Sequence, residues 1–223
     1  MATSGPKLVV LGKQGAGKGT QCVRLARHYQ VPHISSGDMF RAELKSGSEA
    51  GRRLNEYMQR GDFVPDEVVL EVMARRLGQD DAIRRGFILD GFPRSANQAE
   101  ALAKVLDPFE VDLAVDLQVP TEVVLRRLAG RRVCTDCGAN YSVDTPPAED
   151  WTCDVCGGQV VQRADDTVDV IRRRLELYEQ QTEPVVAWYL TRDQLVAVDG
   201  LGTPDAVTER LVRAIERRLA RRR

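Results

Sequence analysis

The sequence predicts an α/β fold in which a parallel sheet is covered by helices on both faces. Short apolar runs alternate along the chain with longer segments of helical periodicity, which is the pattern of such sheets. A glycine-rich loop follows the first apolar run, where ligands of this fold class bind. The chain has 223 residues and a net charge of −1, so it is long enough for one large domain with insertions and has no general excess of charge for binding polyanions.

Each element follows from its local pattern. Apolar runs of strand length predict strands at 7–12, 87–89, 111–119 and 194–198. Amphipathic periodicity predicts helices at 17–29, 38–45, 48–60, 96–106, 120–130 and 167–189, and two further helices that begin at Asp66 and Pro204. Ser36 or Asp38 is expected to cap the helix at 38–45, and Pro184 is expected to kink the helix at 167–189. Segment 131–161 is poor in helix signals and rich in turn residues.

The glycine-rich loop occupies residues 12–20, which read Gly-Lys-Gln-Gly-Ala-Gly-Lys-Gly-Thr. Gly12, Gly17 and Lys18 have the spacing of a phosphate-binding loop. Glycines let backbone N–H groups approach a polyphosphate, the following helix offers its N-terminal dipole, and the lysine reaches the terminal phosphates. Because Gly19 follows the lysine and the hydroxyl comes only at Thr20, magnesium coordination by a hydroxyl next to the lysine is not expected.

Four cysteines form two Cys-x2-Cys pairs separated by fifteen residues. This spacing favours a structural zinc site with four thiolate ligands, over the alternatives of disulfides, free thiols or an iron–sulfur centre. The ligands would be Cys134, Cys137, Cys153 and Cys156. Because the chain begins Met-Ala-Thr-Ser without an apolar signal segment, we expect a cytoplasmic protein, in which disulfides are disfavoured. The fifth cysteine, Cys22, is expected to be a small core residue.

The strand at 87–89 is followed by a carboxylate, Asp90, beside the phosphate-binding loop. A carboxylate in this place holds magnesium or its waters in phosphoryl-transfer enzymes. The chain continues Gly-Phe-Pro-Arg to Arg94, and Gln98 follows four residues later. An arginine at the end of this strand faces the same crevice as the loop, so we expect Arg94 to contact a bound anion.

The order and separation of four motifs resemble those of adenylate kinases. The motifs are the loop at 12–20, Ile-Ser-Ser-Gly-Asp-Met at 34–39, Asp-Gly-Phe-Pro-Arg at 90–94 and Gly-Arg-Arg at 130–132. The cysteine segment is similar to the zinc-bearing lid of the long bacterial forms, and the resemblance covers the chain from about residue 7 to 218. It implies the P-loop nucleoside-monophosphate kinase fold, with a core and two mobile insertions. The implied bounds are 1–34, 65–129 and 167–223 for the core, 35–64 for the AMP-binding insertion and 130–166 for the zinc-bearing lid.

The resemblance also implies a role for each matching residue. The implied ATP-binding residues are Gly15, Ala16, Gly17, Lys18, Gly19, Thr20, Arg127, which would stack on the adenine, and Arg131. The implied AMP-binding residues are Ser36, Arg41, Val64, Gly91, Arg94, Gln98, Arg163 and Arg174. The implied catalytic residues are Lys18, Arg94, Arg131, Arg163 and Arg174, and the implied organisers of magnesium-bound water are Asp38 and Asp90. Asp165 and Asp166 resemble carboxylates that pair with arginines when the lid closes.

The implied activity is reversible phosphoryl transfer from ATP to AMP, which gives two ADP. The implied cofactors are Mg²⁺, bound with ATP, and a structural Zn²⁺. Because the AMP phosphate is itself the acceptor, no side-chain nucleophile is required, and the two histidines, His28 and His33, need not be catalytic. We expect a monomer with no nucleic-acid partner, and no membrane partner, since no apolar run approaches the ~20 residues of a membrane span.

The sequence departs from the family pattern at three positions and leaves two alternatives open. Lys13 and Gln14 stand where small residues and proline are usual, and Ser36 stands where threonine is more common. One alternative is a kinase for another monophosphate, such as UMP or CMP, although Ser36, Gln98 and the zinc lid favour AMP. The other is a zinc-ribbon ATPase that binds nucleic acid, although the cysteine segment has few basic residues and its aromatic side chains are limited to Tyr141 and Trp151.

Overall fold

The computed structural model describes residues 5–46, 48–79, 82–163 and 165–222. In chain order, the strands are β1 (Lys7–Leu11), β2 (His33–Ser35), β3 (Phe87–Asp90), β4 (Leu113–Gln118), β5 (Arg131–Cys134), β6 (Asn140–Ser142), β7 (Val160–Val161) and β8 (Leu195–Asp199). The helices are α1 (Lys18–Tyr29), α2 (Ser36–Lys45), α3 (Glu49–Arg60), α4 (Asp66–Leu77), α5 (Ala82–Arg85), α6 (Ala96–Leu106), α7 (Thr121–Gly130), α8 (Val168–Leu177), α9 (Glu183–Leu190) and α10 (Pro204–Arg222).

The larger sheet is parallel throughout and has the strand order β2-β3-β1-β4-β8. Asp90 at the end of β3 pairs with Val10 of β1 on one side and with Ser35 of β2 on the other. On the far side of β1, Leu11 pairs with Asp116 of β4. Parallel strands end at the same edge, so this register brings the glycine-rich loop, the start of α2 and the loop after β3 together.

Both faces of the larger sheet are buried under helices. The alternation along β1 shows this directly, because Leu8 and Val10 pack in one apolar cluster with α1 and α10, whereas Val9 and Leu11 pack in a second cluster with α4 and α6. A strand buried on both faces has the near-continuous apolar sequence that predicted this arrangement. The predicted fold class is confirmed. Within the described residues, no helix is both long and apolar enough to cross a membrane.

The smaller sheet lies between residues 131 and 161 and is antiparallel, with the order β6-β5-β7. The sequence did not predict these strands, because two to four residues are too few to show an alternating pattern. The buried cluster of this region consists of Cys134, Cys153 and Val160, against which Tyr141 and Trp151 pack. This sheet therefore has very little apolar surface to stabilise it.

The segment around β2 differs from the prediction in two ways. Residues 33–35 form a strand that the sequence did not reveal, since it has three residues and begins with a histidine. The helix that follows begins at Ser36, and Ser35 caps it by accepting a hydrogen bond from the Asp38 backbone N–H at 3.2 Å. The prediction of Ser36 or Asp38 as the cap is therefore wrong. The strand passes directly into the helix, and the last strand residue serves as the cap.

The helix predicted at 167–189 is interrupted before Pro184. A π-helical turn at Tyr178–Thr182 separates α8 from α9, and Pro184 lies in the first turn of α9. Proline has no N–H to donate and its ring crowds the carbonyl four residues earlier, so the chain widens by one residue before Pro184. Within this turn Thr182 Oγ1 donates to the Arg94 carbonyl at 3.0 Å, which ties it to the loop after β3.

Candidate functional site

Three glycines shape the loop between β1 and α1. Gly12 has a φ of 134°, and a Cβ there would lie 2.6 Å from the Leu117 carbonyl oxygen of β4. At Gly15, with a φ of 82°, a Cβ would lie 2.7 Å from Leu128 Cγ of α7. Gly17 is left-handed, with a φ of 100°, directly before α1 begins. Only glycine fits this path, which wraps the backbone around the first turn of a helix.

The Lys18 ammonium lies over this loop. Its Nζ donates to the carbonyls of Gly12 at 2.7 Å and Lys13 at 2.9 Å. Burial lowers the pKa of Lys18 to about 8; the charge of Asp90 opposes that shift and the charge of Arg94 adds to it. An ammonium that is shielded from water and donates to two neutral carbonyls is a strong attractor for a phosphate group.

Asp90 faces the start of α1. A Cβ at Gly19 would lie 3.4 Å from Asp90 Oδ2, and His33 Nε2 lies 3.4 Å from the same oxygen. Burial raises the pKa of Asp90, but the contact with His33 and the positive charge of Lys18 outweigh burial, so the pKa falls below its usual value. The carboxylate is therefore ionised next to the phosphate-binding loop. Thr20 is exposed on the next position of α1.

Arg127, on α7, lies beside the loop on the side of β8. Its guanidinium donates to the Ala16 carbonyl at 3.1 Å and to the Gly200 carbonyl at 3.3 Å. Its planar face is thus held next to the loop by two backbone contacts. The contact with Gly200 could not be found from the sequence, because 73 positions separate the two residues.

Two ion pairs join arginines to the aspartates at the C-terminal end of the segment that carries the smaller sheet. Arg131 and Asp166 form a bidentate pair, in which Nε donates to Oδ2 at 2.7 Å and Nη2 donates to Oδ1. Arg174 Nη2 donates to Asp165 Oδ2 at 2.7 Å and also to the Met58 carbonyl at 3.1 Å. Asp165 and Asp166 therefore pair with arginines, as predicted. These pairs connect the segment to α8 and α3.

Positive charge is concentrated among these arginines. The pKa of Arg94 is lowered to about 10, mainly by burial and in addition by the nearby positive charge of Arg174. Burial likewise lowers the pKa of Arg163 to about 10, with a contribution from Arg131. Like charges repel in a medium of low dielectric, so a site that gathers them is complementary to a multiply charged anion.

The loop after β3 is built by hydrogen bonds to Gly91 and Gln98. The Gly91 carbonyl accepts from Ser36 Oγ at 2.8 Å and from Arg94 Nε at 2.7 Å. The Gln98 side chain accepts from the Arg94 backbone N–H at 2.8 Å and donates to Asp66 Oδ1 at 2.6 Å. Ser36 and Gln98 are almost fully buried and hold Arg94 in place through these bonds. Sequence reasoning assigned no site role to Asp66, whose only sequence signal is that it begins a helix.

Three further residues to which the sequence assigned site roles, Asp38, Arg41 and Val64, lie on α2 or after α3. Arg41 pairs with Asp38 across one turn of α2, and the Asp38 carboxylate is 64% exposed. Val64 is buried in the apolar cluster that includes α4 and α6. The Arg94 guanidinium lies 5.0 Å from the centre of the Phe63 ring, a stacking contact that the sequence did not indicate.

The two unusual loop residues make specific contacts. Lys13 Nζ donates to Thr121 Oγ1 at 2.7 Å. Gln14, with its amide oxygen turned toward the guanidinium groups, accepts from Arg131 Nη2 at 3.2 Å and from Arg174 Nη1 at 2.9 Å. Gln14 was noticed in the sequence as a departure from the family pattern, and the structure places it between two of the predicted catalytic arginines.

The four sulfurs of the smaller sheet come together at one point. One Sγ from each of the four cysteines lies within 4.8 Å of the others, in the set Cys134, Cys137, Cys153 and Cys156. The Asp136 and Val155 backbone N–H groups donate to Cys134 Sγ and Cys153 Sγ, each at 3.4 Å. The Tyr141 hydroxyl also donates to Cys153 Sγ, and this bond is the main cause that lowers the pKa of Cys153 to about 6. Such donors stabilise thiolates, so the cluster fits a tetrahedral zinc ion.

A phosphate-binding loop at the edge of a parallel sheet, facing buried arginines from several segments, defines a P-loop phosphotransferase. Comparison with known proteins specifies the family within this class. The family model for adenylate kinase matches residues 10–194. The adenylate kinase of Caldicellulosiruptor saccharolyticus is 43% identical over 212 residues, which cover 94% of this chain and 98% of that protein. The adenylate kinase of Streptomyces avermitilis is 43% identical over 215 residues, which cover 95% of this chain and 97% of that protein.

The chain therefore belongs to the adenylate kinase family. It is an ATP:AMP phosphotransferase, which converts ATP and AMP to two ADP. This assignment favours AMP over UMP or CMP as the acceptor, and it disfavours the alternative of a zinc-ribbon ATPase that binds nucleic acid. Members of the family use ATP as its magnesium complex.

Proposed function

We propose that the reaction takes place where the phosphate-binding loop meets the arginine cluster, with ATP on the side of α7 and AMP on the side of α2 and α3. The observation that supports this placement is the position of Gln14. This loop residue accepts hydrogen bonds from both Arg131, at the start of the 130–166 segment, and Arg174 of α8, so guanidinium groups from two separate elements meet at the loop itself. Phosphates that lie in line between the two nucleotides would have to occupy this region.

On the ATP side, the loop and two arginines form the proposed binding site. Backbone N–H groups of the loop would cradle the phosphates, and Lys18 would neutralise their charge. The residues that supply these N–H groups are Gly15, Ala16, Gly17, Gly19 and Thr20. Arg127, fixed between the Ala16 and Gly200 carbonyls, would present its planar face to the adenine. Arg131 would reach the phosphate that is transferred.

On the AMP side, the buried Arg94 is the proposed anchor for the phosphate, with Arg41, Arg163 and Arg174 around it. Arg94 is rigid because Gly91, Gln98 and Thr182 all bond its guanidinium or backbone. Fixed guanidinium groups that meet the charge of the transferring oxygens need no reorganisation during the reaction. We place the AMP base near Ser36, the Val64 backbone and Gln98, with the loop at Gly91 beneath it.

Magnesium would be held near Asp90 and Asp38 through its water molecules, since Gly19 leaves no hydroxyl next to Lys18. The ion would neutralise the charge that the phosphates share when it is bound with ATP. Asp90 supports this placement because it is ionised and faces Gly19, where an added Cβ would lie 3.4 Å from Asp90 Oδ2. Asp38 would have to leave Arg41, with which it pairs in this structure.

Two insertions would exclude water from the reaction, with the bounds 35–64 and 130–166 around a core of 1–34, 65–129 and 167–223. A phosphoryl group exposed to water would be hydrolysed, so the site must close before transfer. Lys45 Nζ, at the end of α2, donates to the Thr135 carbonyl of the cysteine segment at 2.6 Å. This bond between the two insertions supports a closed arrangement in which they cover the sheet edge together.

We further propose that the four cysteines bind one structural zinc ion. Four thiolates complete a tetrahedral shell, so the ion would have no open position and no part in the chemistry. Its contribution would be to stabilise a segment whose buried cluster contains three residues, two of them cysteines.

The test is an assay of ADP formation from ATP with AMP, UMP, CMP or GMP in the presence of magnesium, on wild type and two lysine variants. We expect AMP to be the preferred acceptor. Lys18→Met should lower turnover by roughly 10²–10³-fold, the range for losing one preorganised charge at a transition state. Lys13→Met removes a second lysine from the same loop, but its ammonium bonds Thr121, so activity should stay within a few-fold of wild type. Equal activities of the two variants would exclude Lys18 from catalysis.

A further inference from the structure

A second group of metal-ligand side chains lies under the phosphate-binding loop, far in sequence from the four cysteines of the lid. Cys22 of α1, His33 of β2 and Asp90 of β3 each offer one ligand atom, and these three atoms lie within 4.8 Å of one another. Cys22 is fully buried, as predicted for a core residue, while the side chains of His33 and Asp90 are 18% and 14% exposed. Three separate elements of the sheet layer therefore form this cluster.

The histidine of this cluster has an unsatisfied nitrogen. His33 Nε2 is buried and makes no hydrogen bond within the described part of the chain, although it lies 3.4 Å from Asp90 Oδ2. Buried polar nitrogens nearly always have a partner, because leaving one unsatisfied forfeits its hydrogen bonds to water without replacing them. A ligand that bonds this nitrogen and the neighbouring carboxylate together would remove that cost.

The donor set identifies the chemistry of such a ligand. One thiolate, one imidazole and one carboxylate suit a thiophilic divalent cation such as Zn²⁺ or Cd²⁺, whereas Mg²⁺ prefers oxygen ligands alone. The thiolate and the carboxylate would together balance the two charges of the ion. Ligand atoms around a tetrahedral zinc ion stand about 3.5 Å apart, so the three side chains need to approach by little more than an ångström.

We propose that Cys22, His33 and Asp90 form an inhibitory binding site for Zn²⁺ or Cd²⁺, distinct from the four-cysteine site of the lid. Inhibition rests on the proposed function, because it requires that Asp90 organise the magnesium of the reaction. An ion that takes Asp90 as a ligand withdraws that carboxylate from Lys18 and from the start of α1. Three protein ligands leave a fourth position for water or for a phosphate oxygen of ATP.

Two properties of Cys22 determine how this inhibition should appear. Metal binding must displace the proton of a thiol that is fully buried, and this site offers three protein ligands where the cysteine cluster offers four. The site should therefore be weaker than the four-cysteine site and fill after it. Because Cys22 is fully buried, entry of the ion requires a local opening of the structure, so inhibition should develop with time after mixing.

The experiment measures metal content and activity in wild type and in Cys22→Ala, both purified with the lid site loaded with zinc. Each protein is incubated with CdCl2, freed of unbound metal and analysed for bound Cd²⁺ and for cadmium–thiolate absorbance. Activity is then measured with excess magnesium and ATP. We expect wild type to bind one more equivalent of Cd²⁺ than Cys22→Ala, and the concentration of Cd²⁺ that halves activity to rise at least about tenfold in the variant. Without added metal the two proteins should be equally active.

Two further variants keep the test decisive. His33→Gln removes a second ligand and should also bind one equivalent of Cd²⁺ fewer than wild type. This variant provides the test if Cys22→Ala does not fold. His28→Gln removes the other histidine, which lies 3.7 Å from Glu216 on the surface of α1, and should bind and respond as wild type does. Equal metal content in wild type and Cys22→Ala would overturn the site. An extra equivalent bound without loss of activity would overturn the inhibition and the role of Asp90, while ADP formation by the same sample would still support the proposed reaction.

Discussion

The two sheets of this protein are stabilised in different ways. The larger sheet is buried on both faces by two apolar clusters, to which α1, α4, α6 and α10 contribute. The smaller sheet has a buried cluster of Cys134, Cys153 and Val160 and is otherwise connected by ion pairs at its two ends. Hydrophobic burial therefore maintains the phosphate-binding loop, while the four-cysteine cluster and charge pairs position the arginines that meet it.

The two regions therefore differ in the kind of interaction that holds their charged side chains. Lys18 and Arg94 are held by a packed core that has one stable arrangement. Arg131 and Arg163 belong to a segment whose contacts with the core are polar, and polar contacts can be exchanged for contacts with water or with phosphates at small net cost. A segment that opens and closes over the site, as we propose for residues 130–166, would be built from the second kind of interaction.

Among the predicted changes, the largest should be the loss of stability that follows a substitution in the apolar core of the larger sheet. Leu89 is fully buried in β3, and Leu89→Ala should lower the free energy of unfolding by about 2–5 kcal/mol through lost burial and a cavity. Denaturant unfolding, followed by far-UV circular dichroism, measures this change. Leu190→Ala, at a leucine that is 64% exposed, is the control and should change stability by less than about 0.5 kcal/mol. A small effect of Leu89→Ala would mean that the apolar clusters do not stabilise the larger sheet.

A cysteine variant should affect the smaller sheet alone. Cys153→Ser removes one sulfur from the cluster, so the segment should open locally while the core unfolds near its original temperature. Hydrogen exchange should show loss of protection at β5–β7 and unchanged protection at β1 and β3. Cys22→Ser, a cysteine substitution outside the cluster, should leave exchange at β5–β7 as in wild type. Loss of protection in both sheets together would show that they unfold as one unit.

The pH dependence of ATP binding should report the burial of Lys18. Because burial lowers the pKa of this lysine to about 8, the free enzyme loses the positive charge as the pH rises above 8. The value of kcat/KM for ATP should therefore fall toward tenfold per pH unit above that point, while kcat, measured with phosphates bound, should fall less. Lys13→Met should keep the same inflection. A profile that stays flat to pH 10 would contradict a buried, weakly basic Lys18.

The smallest effect should come from substituting Gln14, the loop residue that bonds both Arg131 and Arg174. Gln14→Ala removes the hydrogen bonds to Arg131 and Arg174, and bonds of this kind contribute about 0.5–1.5 kcal/mol each. We expect kcat to fall by several-fold with little change in KM or in melting temperature. Lys13→Ala, which alters the neighbouring position of the loop, should leave kcat closer to wild type. A change in KM alone would mean that Gln14 acts in binding instead of in the alignment of the arginines.

The sequence by itself determined the features that local chemistry dictates. Gly12, Gly15 and Gly17 are recognisable because a loop with positive φ and close backbone contacts admits no other residue there. The two Cys-x2-Cys pairs are recognisable because each pair places two sulfurs within one short turn. Alternating apolar runs and amphipathic helices determined the fold class for the same reason, since periodicity is a property of neighbouring residues.

Only the tertiary structure decided which distant residues meet. Arg127 bonds the Gly200 carbonyl, and Gln98 bonds Asp66. Both contacts depend on the packing of helices on a sheet whose strand order differs from chain order. Cys22 and His33 come together with Asp90 because α1 packs on β2 and β3, where His33 pairs with Ile88, two residues before Asp90. A sequence records the period of each element but not its register against the others, and register is set by how the side chains of the whole core pack together.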